Sequence, residues 1–189
     1  MRQGIIFVLS GPSGVGKGTV LNKLLDNFND IVYSISATTR KPRIGEVNGQ
    51  DYFFFSREDF FKKIEKKDFI EWAKVHNNYY GTLRSYVEKI VKKGKDIILE
   101  IDIQGARQVK QEYNDAVYIF LSPPSIKDLK SRLDRRNSEN IDNKLLRLKN
   151  AEIELKEKSK YDYEIINDQA NKAAKKLKAI IIAERCRIR

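Results

Sequence analysis

Ile5-Ile6-Phe7-Val8-Leu9-Ser10-Gly11-Pro12-Ser13-Gly14-Val15-Gly16-Lys17-Gly18-Thr19 is the stretch that decides the fold of this 189-residue chain. Its apolar first part predicts a buried strand, which breaks into a glycine-rich turn that ends on a lysine. Such a turn presents backbone N–H groups to a phosphate, and the lysine adds a positive charge. A helix predicted from about Lys17 to Asn27 would direct its positive N-terminal end at the same anion. Residues Gly11 to Thr19 are therefore predicted to form a phosphate-binding loop.

This loop departs from the usual pattern G-x-x-x-x-G-K-[ST] at its eighth position. Gly18 stands there, and the hydroxyl follows one residue later at Thr19. A hydroxyl at the eighth position normally ligates magnesium, so we expect nucleotide oxygens and water to hold most of the Mg²⁺ here. The alternative is a glycine-rich turn without a ligand. It is disfavoured because the strand, loop, lysine and helix follow in the order that phosphate binding requires.

The composition indicates one folded domain. The chain is long enough to bury a full core, its apolar runs are too short to span a membrane, and we see no secretion signal. We therefore expect a soluble, cytoplasmic protein. No pattern of Cys or His predicts a metal cage, and the single cysteine excludes an internal disulfide.

The net charge of +11 would suit nucleic acid, an anionic membrane or small polyanions. Because the lysines are spread along predicted helix faces, we interpret them as solvated surface. We expect neither a nucleic-acid partner nor a membrane partner. The sequence does not distinguish a monomer from a homo-oligomer.

Short apolar runs alternate with helical patterns along most of the chain. The runs at 5–9, 97–101, 116–121 and 163–166 predict the strands of a parallel sheet covered by helices on both faces. Ser125, with Asp128 three residues later, predicts the start of one of these helices. The fold expected is therefore α/β, of the P-loop NTPase type.

Two excursions interrupt this alternation. In the first, Asn48-Gly49 predicts a tight hairpin turn before the strand-like Asp51 to Phe55, and Ser56 with Asp59 predicts a helix start. The second is a polar stretch around Arg135 to Asn143, placed like a lid. We expect a core of about 1–33, 83–131 and 148–189, an inserted, mostly β lobe at about 34–82, and a small helical lid at about 132–147.

Several motifs resemble those of the guanylate kinases, a family of P-loop nucleoside monophosphate kinases. They are the loop at 11–19, Ser34 to Glu46, Asp51-Tyr52, Phe69 to Trp72, Tyr79 to Thr82, Ile101 to Gly105 and Ile166 to Asp168. The resemblance runs from about residue 4 to the last helix. It implies transfer of the γ-phosphoryl group of ATP to GMP, and by expectation to dGMP, with Mg²⁺, in purine nucleotide metabolism.

The resemblance also implies roles for individual residues. The phosphate of GMP would be held by Arg40, Arg43, Tyr52 and Tyr80, and its guanine would be surrounded by Ser36, Glu71, Thr82 and Asp102. Asn167 would border the adenine of ATP, beside the loop residues Gly11, Pro12, Ser13, Gly14, Val15, Gly16, Lys17, Gly18 and Thr19. Catalysis would rest on Lys17, Arg132, Arg136 and Arg147.

Three of these assignments stay open. Asn167, with Asp168, could simply form a turn instead of bordering adenine. Asp102 could contact guanine or a magnesium-bound water, and it could also simply cap a helix. Arg135 and Asn137 depart from the family's pattern, so the sequence does not decide whether Arg135 or Arg136 reaches the phosphates.

The chemistry of these residue types agrees with the resemblance. Two arginine forks can approach one phosphate from two sides. A carboxylate at Glu71 would accept from N1–H and N2–H₂ of guanine, and Ser36 would donate to O6, whereas adenine would leave these groups unpaired. In phosphoryl transfer, positioned cations stabilise the charge of the moving group, and the acceptor supplies the attacking oxygen.

Three other functions remain as alternatives. A kinase that phosphorylates another nucleoside monophosphate is disfavoured by Glu71 and Ser36, whose hydrogen-bonding groups match guanine. A peptide-binding scaffold related to the family is disfavoured by the complete loop from Gly11 to Lys17. A nucleic-acid binder would rest on the net charge alone and would bind less tightly as salt rises.

Overall fold

The computed structural model describes residues 2–75, 77–134 and 150–188. The strands are β1 (Ile6–Ser10), β2 (Val32–Tyr33), β3 (Ala37–Thr38), β4 (Phe53–Phe54), β5 (Phe69–Val75), β6 (Asn78–Leu83), β7 (Ile97–Glu100), β8 (Val117–Ser122) and β9 (Tyr163–Ile166). The helices are α1 (Lys17–Leu25), α2 (Arg57–Glu65), α3 (Arg84–Lys92), α4 (Ile103–Glu112), α5 (Ile126–Asp134) and α6 (Ala170–Arg185). Residues 150–155 are also helical and lead into a 3₁₀ helix, Lys156–Lys160.

The main sheet has five parallel strands in the order β2-β7-β1-β8-β9. All residues of the central strand β1 are buried, and they alternate between two cores. Phe7 and Leu9 pack with residues of α1 and α6, whereas Ile6 and Val8 pack with residues of α3 and α4. The predicted parallel sheet with helices on both faces is therefore confirmed. Strand β2 was not predicted from the sequence, because its two residues are too few to give a periodic pattern.

The sheet order brings distant segments to one edge. After β1 the chain crosses to β2 on one side, and later returns to β8 on the other side. The carboxyl ends of β1 and β7 are adjacent, with Leu9 paired to Glu100. Open parallel sheets bind ligands in the crevice at such a switch point. The phosphate-binding loop after β1 and Asp102 after β7 thus lie at the same edge.

A second sheet of four strands, in the order β4-β3-β6-β5, lies in the inserted lobe. The predicted hairpin at Asn48-Gly49 is wrong. The turn exists, since Gly49 has φ +78° and its N–H donates to the Tyr52 carbonyl at 2.8 Å. However, β4 pairs in parallel with β3, and the antiparallel neighbour of β3 is β6. A hairpin turn needs two adjacent antiparallel strands, and here β5 and β6 supply that pairing.

The lobe has its own small core, centred on Ala37, Phe60 and Phe69. Helix α2 delivers Phe60 to this core, and it begins where predicted because the Ser56 hydroxyl accepts from the Asp59 N–H at 3.0 Å. Two hydrogen bonds between the Gln108 side chain of α4 and the Trp72 backbone of β5 attach the lobe to the main sheet's helices. These bonds fix the position of Glu71, the neighbour of Trp72.

The predicted start of α5 is confirmed, because the Ser125 hydroxyl accepts from the Asp128 N–H at 3.1 Å. Gly94, at φ +75°, follows the end of α3. None of the helices within the described ranges is long and apolar enough to cross a membrane. Most of the predicted lid, residues 135–147, lies outside the described residues.

Candidate active site

The phosphate-binding loop connects β1 to α1, and two of its glycines are required by geometry. Gly16 has φ +95°, and a Cβ atom there would lie 2.9 Å from Asn167 Nδ2. Gly11 has φ +149°, and a Cβ atom there would lie 2.3 Å from the Leu121 carbonyl oxygen. Since Gly16 has no side chain to cap α1, the first N–H groups of the helix remain for an anion.

Lys17 lies back across this loop. Its Nζ donates to the carbonyl of Gly11 at 2.6 Å and to that of Pro12 at 3.4 Å. The ammonium group is therefore already held over the loop's concave side, where an anion would sit.

Arg132 and Asn167 hold the loop through hydrogen bonds to its backbone. The Val15 carbonyl accepts from Arg132 Nη1 at 3.1 Å and from Asn167 Nδ2 at 2.8 Å. Arg132 Nη2 also donates to the Asn167 carbonyl at 2.7 Å. The structure thus brings both residues to the loop, and Arg132 contacts backbone carbonyls there. Asn167 Oδ1 is buried and has no hydrogen-bond partner within the described part of the chain.

Glu154 also approaches the loop. Burial raises the pKa of its carboxyl group, whereas a hydrogen bond from the Ser13 N–H and the charge of Lys17 act in the opposite direction.

The residues expected around guanine meet between β5, β6 and α4. The Thr82 hydroxyl donates to Glu71 Oε1 at 2.7 Å, and both residues are buried. Asp102 caps α4, since its Oδ1 accepts from the Gly105 N–H at 2.7 Å. The capping role considered for Asp102 is therefore real, and its carboxylate still lies close enough to act electrostatically on Glu71.

Burial raises the pKa of Glu71 to about 7. The Thr82 hydroxyl lowers this pKa and the Asp102 charge raises it, but both effects are smaller than that of burial. A ligand that donates hydrogen bonds to this carboxylate would favour its ionised form.

Arg40, Tyr52 and Tyr80 form the second predicted cluster. The Arg40 guanidinium lies 5.2 Å from the centroid of the Tyr52 ring, and the rings of Tyr52 and Tyr80 lie 6.3 Å apart. Arg40 also makes a two-point ion pair with Glu46, at 2.8 and 2.9 Å, which raises the pKa of the guanidinium further. The backbone N–H of Arg43 donates to the same carboxylate at 2.7 Å, and the Arg43 residue is exposed.

One cavity connects these clusters with the loop. Its volume is about 280 Å³, and its lining includes Lys17, Ser36, Tyr52, Glu71, Tyr80 and Asp102. A larger cavity of about 670 Å³ lies beside residues that precede β1 and β8, away from the loop. Basic residues at its rim are paired with acids, as Arg185 is with Asp96 at 2.7 Å. The smaller cavity is the one that gathers the predicted site residues.

Glu100 and Tyr33 line the same cavity. The Tyr33 hydroxyl donates to Glu100 Oε2 at 3.0 Å, and a Cβ atom on Gly18 would lie 3.5 Å from Glu100 Oε1. Within the described ranges no group of three or more His, Cys, Asp or Glu residues could hold a metal ion. Carboxylates at the end of β7 beside a phosphate loop nevertheless fit a magnesium ion that keeps phosphate and water ligands.

Sequence reasoning missed several of these residues. Each of them acts through a contact with a residue that is distant in the sequence or lies across a turn, and no spacing pattern indicates such contacts. These residues are Tyr33, Glu46, Glu100, Gly105 and Glu154. A charge partner for Arg40 could have been sought within the same loop. Two predicted catalytic residues, Arg136 and Arg147, lie outside the described residues, as do Arg135 and Asn137.

Comparison with known proteins gives a consistent result. A family model described as guanylate kinase matches residues 3–184. The guanylate kinase of Caldanaerobacter subterraneus subsp. tengcongensis is 49% identical over 187 residues, which cover 99% of this chain and 91% of that protein. The guanylate kinase of Clostridium perfringens strain 13 is 50% identical over 187 residues, covering 99% and 87%.

A solved structure is similar over almost the same length. The crystal structure of guanylate kinase from Anaplasma phagocytophilum superposes with a TM-score of 0.79 at 38% sequence identity. The match covers 98% of this chain and 88% of that one.

Proposed function

The chain belongs to the guanylate kinase family, and from this premise we propose which of its residues perform the reaction. The enzyme is an ATP:GMP phosphotransferase: it transfers the γ-phosphoryl group of ATP to GMP and gives ADP and GDP. The observation that carries the assignment of residues is the cavity that Lys17 shares with Glu71 and Tyr80. A donor phosphate on the loop and an acceptor in the lobe would meet there.

Glu71 and Ser36 read the base in this proposal. Glu71, once ionised, accepts from N1–H and N2–H₂ of guanine, and Ser36 donates to O6. Thr82 holds one Glu71 oxygen in place, and Asp102 adds negative charge on the side of the guanine donors. AMP offers an acceptor at N1 instead, so its binding would leave the buried Glu71 without a donor, and such losses reach about 10⁴-fold.

Arg40, Arg43, Tyr52 and Tyr80 hold the phosphate of GMP. Glu46 accepts two hydrogen bonds from the Arg40 guanidinium, so the Arg40 side chain is oriented before the substrate binds. The two tyrosine hydroxyls donate to phosphate oxygens. A GMP phosphate oxygen is itself the nucleophile, so these residues orient it and no covalent enzyme intermediate is needed.

The loop from Gly11 to Thr19 holds the phosphates of ATP. Its N–H groups and the positive end of α1 face the anion, and Lys17 moves from the loop carbonyls onto the transferring group. Asn167 Oδ1, a buried acceptor without a hydrogen-bond partner among the described residues, would accept from the adenine amino group. Arg132, Arg136 and Arg147 complete the cationic surroundings as the lid closes and excludes water.

Magnesium belongs to the ATP complex in this proposal. Bound to phosphate oxygens and water, it would neutralise charge on the β- and γ-phosphates. Gly18 of the loop lies beside Glu100 at the end of β7, since a Cβ atom on Gly18 would be 3.5 Å from Glu100 Oε1.

A coupled assay of ADP production tests the assignment, with GMP, dGMP, AMP and UMP as acceptors. We expect GMP to support turnover and AMP and UMP to fail. In Glu71→Gln, loss of charge-assisted bonds should lower kcat/KM for GMP by about 10²-fold while KM for ATP stays unchanged. Glu58→Gln, an exposed carboxylate on α2, serves as the control.

Two results would contradict the proposal. If folded protein released no ADP in response to GMP, the donor and acceptor sites would be wrongly assigned. If Glu71→Gln turned over GMP as well as the parent protein, Glu71 would have no part in reading the base.

A further inference from the structure

Three consecutive residues of β5 belong to three different parts of the molecule. Phe69 packs in the small core of the lobe, and Ile70 packs in the core of the main sheet. Glu71, the next residue, is buried and bound to the Thr82 hydroxyl in the candidate base site. The pairing of β5 with β6 shifts its register between Phe69 and Glu71. Because such an irregularity changes the direction of side chains, the place of the Glu71 carboxylate depends on how this stretch of β5 is held.

The outer edge of β5 is held by one side chain of α4. Among the described strands β5 is the last in the order β4-β3-β6-β5, so the backbone groups on its outer side face no strand. The Trp72 N–H donates to Gln108 Oε1 at 3.1 Å, and Gln108 Nε2 donates to the Trp72 carbonyl at 2.9 Å. A single amide group thus pairs both backbone groups of the residue after Glu71, as a neighbouring strand would.

The same face of α4 also limits where the Glu71 carboxylate can lie. Gly105 and Gln108 are three residues apart, and residues at this spacing are neighbours on the surface of a helix. Gly105 has no side chain, and the space beside it holds Glu71 Oε2. Helix α4 therefore leaves room for the carboxylate at Gly105 and, one turn later, holds the backbone next to Glu71.

A second attachment lies at the beginning of β5. Arg84 Nη2 donates to the Phe69 carbonyl at 2.9 Å and to Glu112 of α4 at 3.1 Å. A cavity of about 180 Å³ lies at this junction, and Arg84 and Gln108 are both in its lining. Since close packing does not fill the junction, directed hydrogen bonds must fix the position of β5 there. Arg84 fixes the residue before the irregularity, and Gln108 fixes the residue after Glu71.

We propose that Gln108 is a positioning residue for the acceptor nucleotide. By holding the Trp72 backbone against α4, its amide keeps the Glu71 carboxylate where the donors of guanine can reach it. Gln108 acts through Glu71 and not on the substrate. This inference rests on the proposed role of Glu71 in reading the base, and it assigns part of base recognition to a helix outside the lobe.

Steady-state kinetics of Gln108→Met test the proposal. Methionine is unbranched and similar in length to glutamine, so it keeps most of the packing and removes both hydrogen bonds. We expect KM for GMP to rise about tenfold, with a much smaller change in kcat and an unchanged KM for ATP. Gln111→Ala, at an exposed glutamine of the same helix, serves as the control and should leave all three constants unchanged.

A double-mutant cycle shows whether Gln108 acts through Glu71. In Glu71→Gln the carboxylate that Gln108 positions is already absent, so adding Gln108→Met should raise KM for GMP by less than about twofold. Melting temperatures confirm that the variants fold. Gln108→Ala removes the same two bonds in a smaller side chain, and it should give the same kinetic result if Gln108→Met does not fold.

Three outcomes would overturn the proposal: an unchanged KM for GMP in a folded Gln108 variant, an equal rise in KM for GMP and for ATP, or a full tenfold further rise in the Glu71→Gln background. The second would mean that Gln108 supports the fold in general, and the third that it acts by a route other than Glu71. Failure of the proposed function is distinguishable, because it would appear in the parent protein as absence of GMP-dependent ADP release.

Discussion

At the scale of single residues, Glu71 couples base recognition to pH. Burial raises its pKa to about 7, so in the free enzyme a proton occupies the carboxylate below that pH. Guanine needs the ionised form, and its binding must therefore release the proton. We expect KM for GMP to rise as pH falls below 7, by up to about tenfold per unit, while KM for ATP changes little.

Steady-state kinetics in each substrate between about pH 5 and pH 8 check this expectation. The phosphate of GMP itself ionises near pH 6 and also contributes to the pH dependence. The Glu71→Gln variant has no titrating group at position 71, so its pH profile shows the contribution of the phosphate alone. If the pH dependence of KM for GMP is the same in both proteins, Glu71 does not cause it.

Gly105 determines where the Glu71 carboxylate can lie. A Cβ atom on Gly105 would be 2.5 Å from Glu71 Oε2, a distance so short that one of the two groups must shift. Gly105→Ala should displace the carboxylate and raise KM for GMP by about 10- to 100-fold, with KM for ATP unchanged. Melting temperature confirms that the variant folds.

A double-mutant cycle separates this effect from general damage. If Gly105 acts through Glu71, adding Gly105→Ala to Glu71→Gln should cost little more activity, because residues in contact are not additive. Independent, additive losses would show that Gly105 affects the site by another route.

At the scale of elements, the lobe has a small core of its own, and Ile70 of β5 packs instead in the core of the main sheet. Phe60 of α2 is fully buried, and it packs with Phe69 at a ring separation of 4.4 Å. The loop that carries Lys17 belongs to the other core. Phe60→Ala should lower the stability of the lobe by about 3 to 5 kcal/mol and weaken GMP binding far more than ATP binding.

Calorimetry with each nucleotide measures the two affinities, and hydrogen exchange locates the loosened strands. Phe61→Ala, at a half-exposed neighbour on the same helix, provides a matched control that should change little. Equal losses for ATP and GMP in Phe60→Ala would mean that the two cores unfold together.

At the scale of the whole molecule, Asp96 joins the two ends of the chain. Its buried carboxylate accepts from Arg2 at 2.5 Å, from the Ile5 N–H at 2.8 Å and from Arg185 at 2.7 Å. Asp96→Ala leaves Arg185 partly buried without this partner and should lower the free energy of unfolding by about 3 to 5 kcal/mol. Urea denaturation measures the change.

Asp30 offers a control on the same arginine. It also pairs with Arg185, at 2.6 Å, but its own side chain is 79% exposed. Asp30→Ala should therefore lower stability by less than about 1 kcal/mol. If the two substitutions have similar effects, burial of Asp96 is not what makes the network stabilising.

The sequence predicts those features of the fold that depend on interactions between residues close together in the chain. Strands such as Ile97–Glu100 and caps such as Ser56 are encoded within a few residues, and they were predictable. The pairing of β3 with β4 and β6 was not, because Ala37–Thr38 is too short to show a pattern.

The residues of the candidate site also divide into those that a local pattern predicts and those that it does not. The loop glycines and Lys17 form a local motif, and the lobe residues followed from family resemblance. Glu100 became visible only when the fold placed it beside Gly18. Its hydrogen bond from Tyr33 spans 67 residues and leaves no trace in local spacing.

The strand order has a consequence for synthesis on the ribosome. β1 is made first, but its two sheet neighbours are β7 and β8, which begin at Ile97 and Val117. At translation rates of about 5 to 20 residues per second, the apolar strand Ile6–Ser10 waits on the order of ten seconds for partners. The strand that leads into the catalytic loop thus leaves the ribosome before both of its sheet neighbours, and the loop acquires its shape only after they follow. Nascent chains of this enzyme should therefore engage chaperones that bind exposed apolar strands.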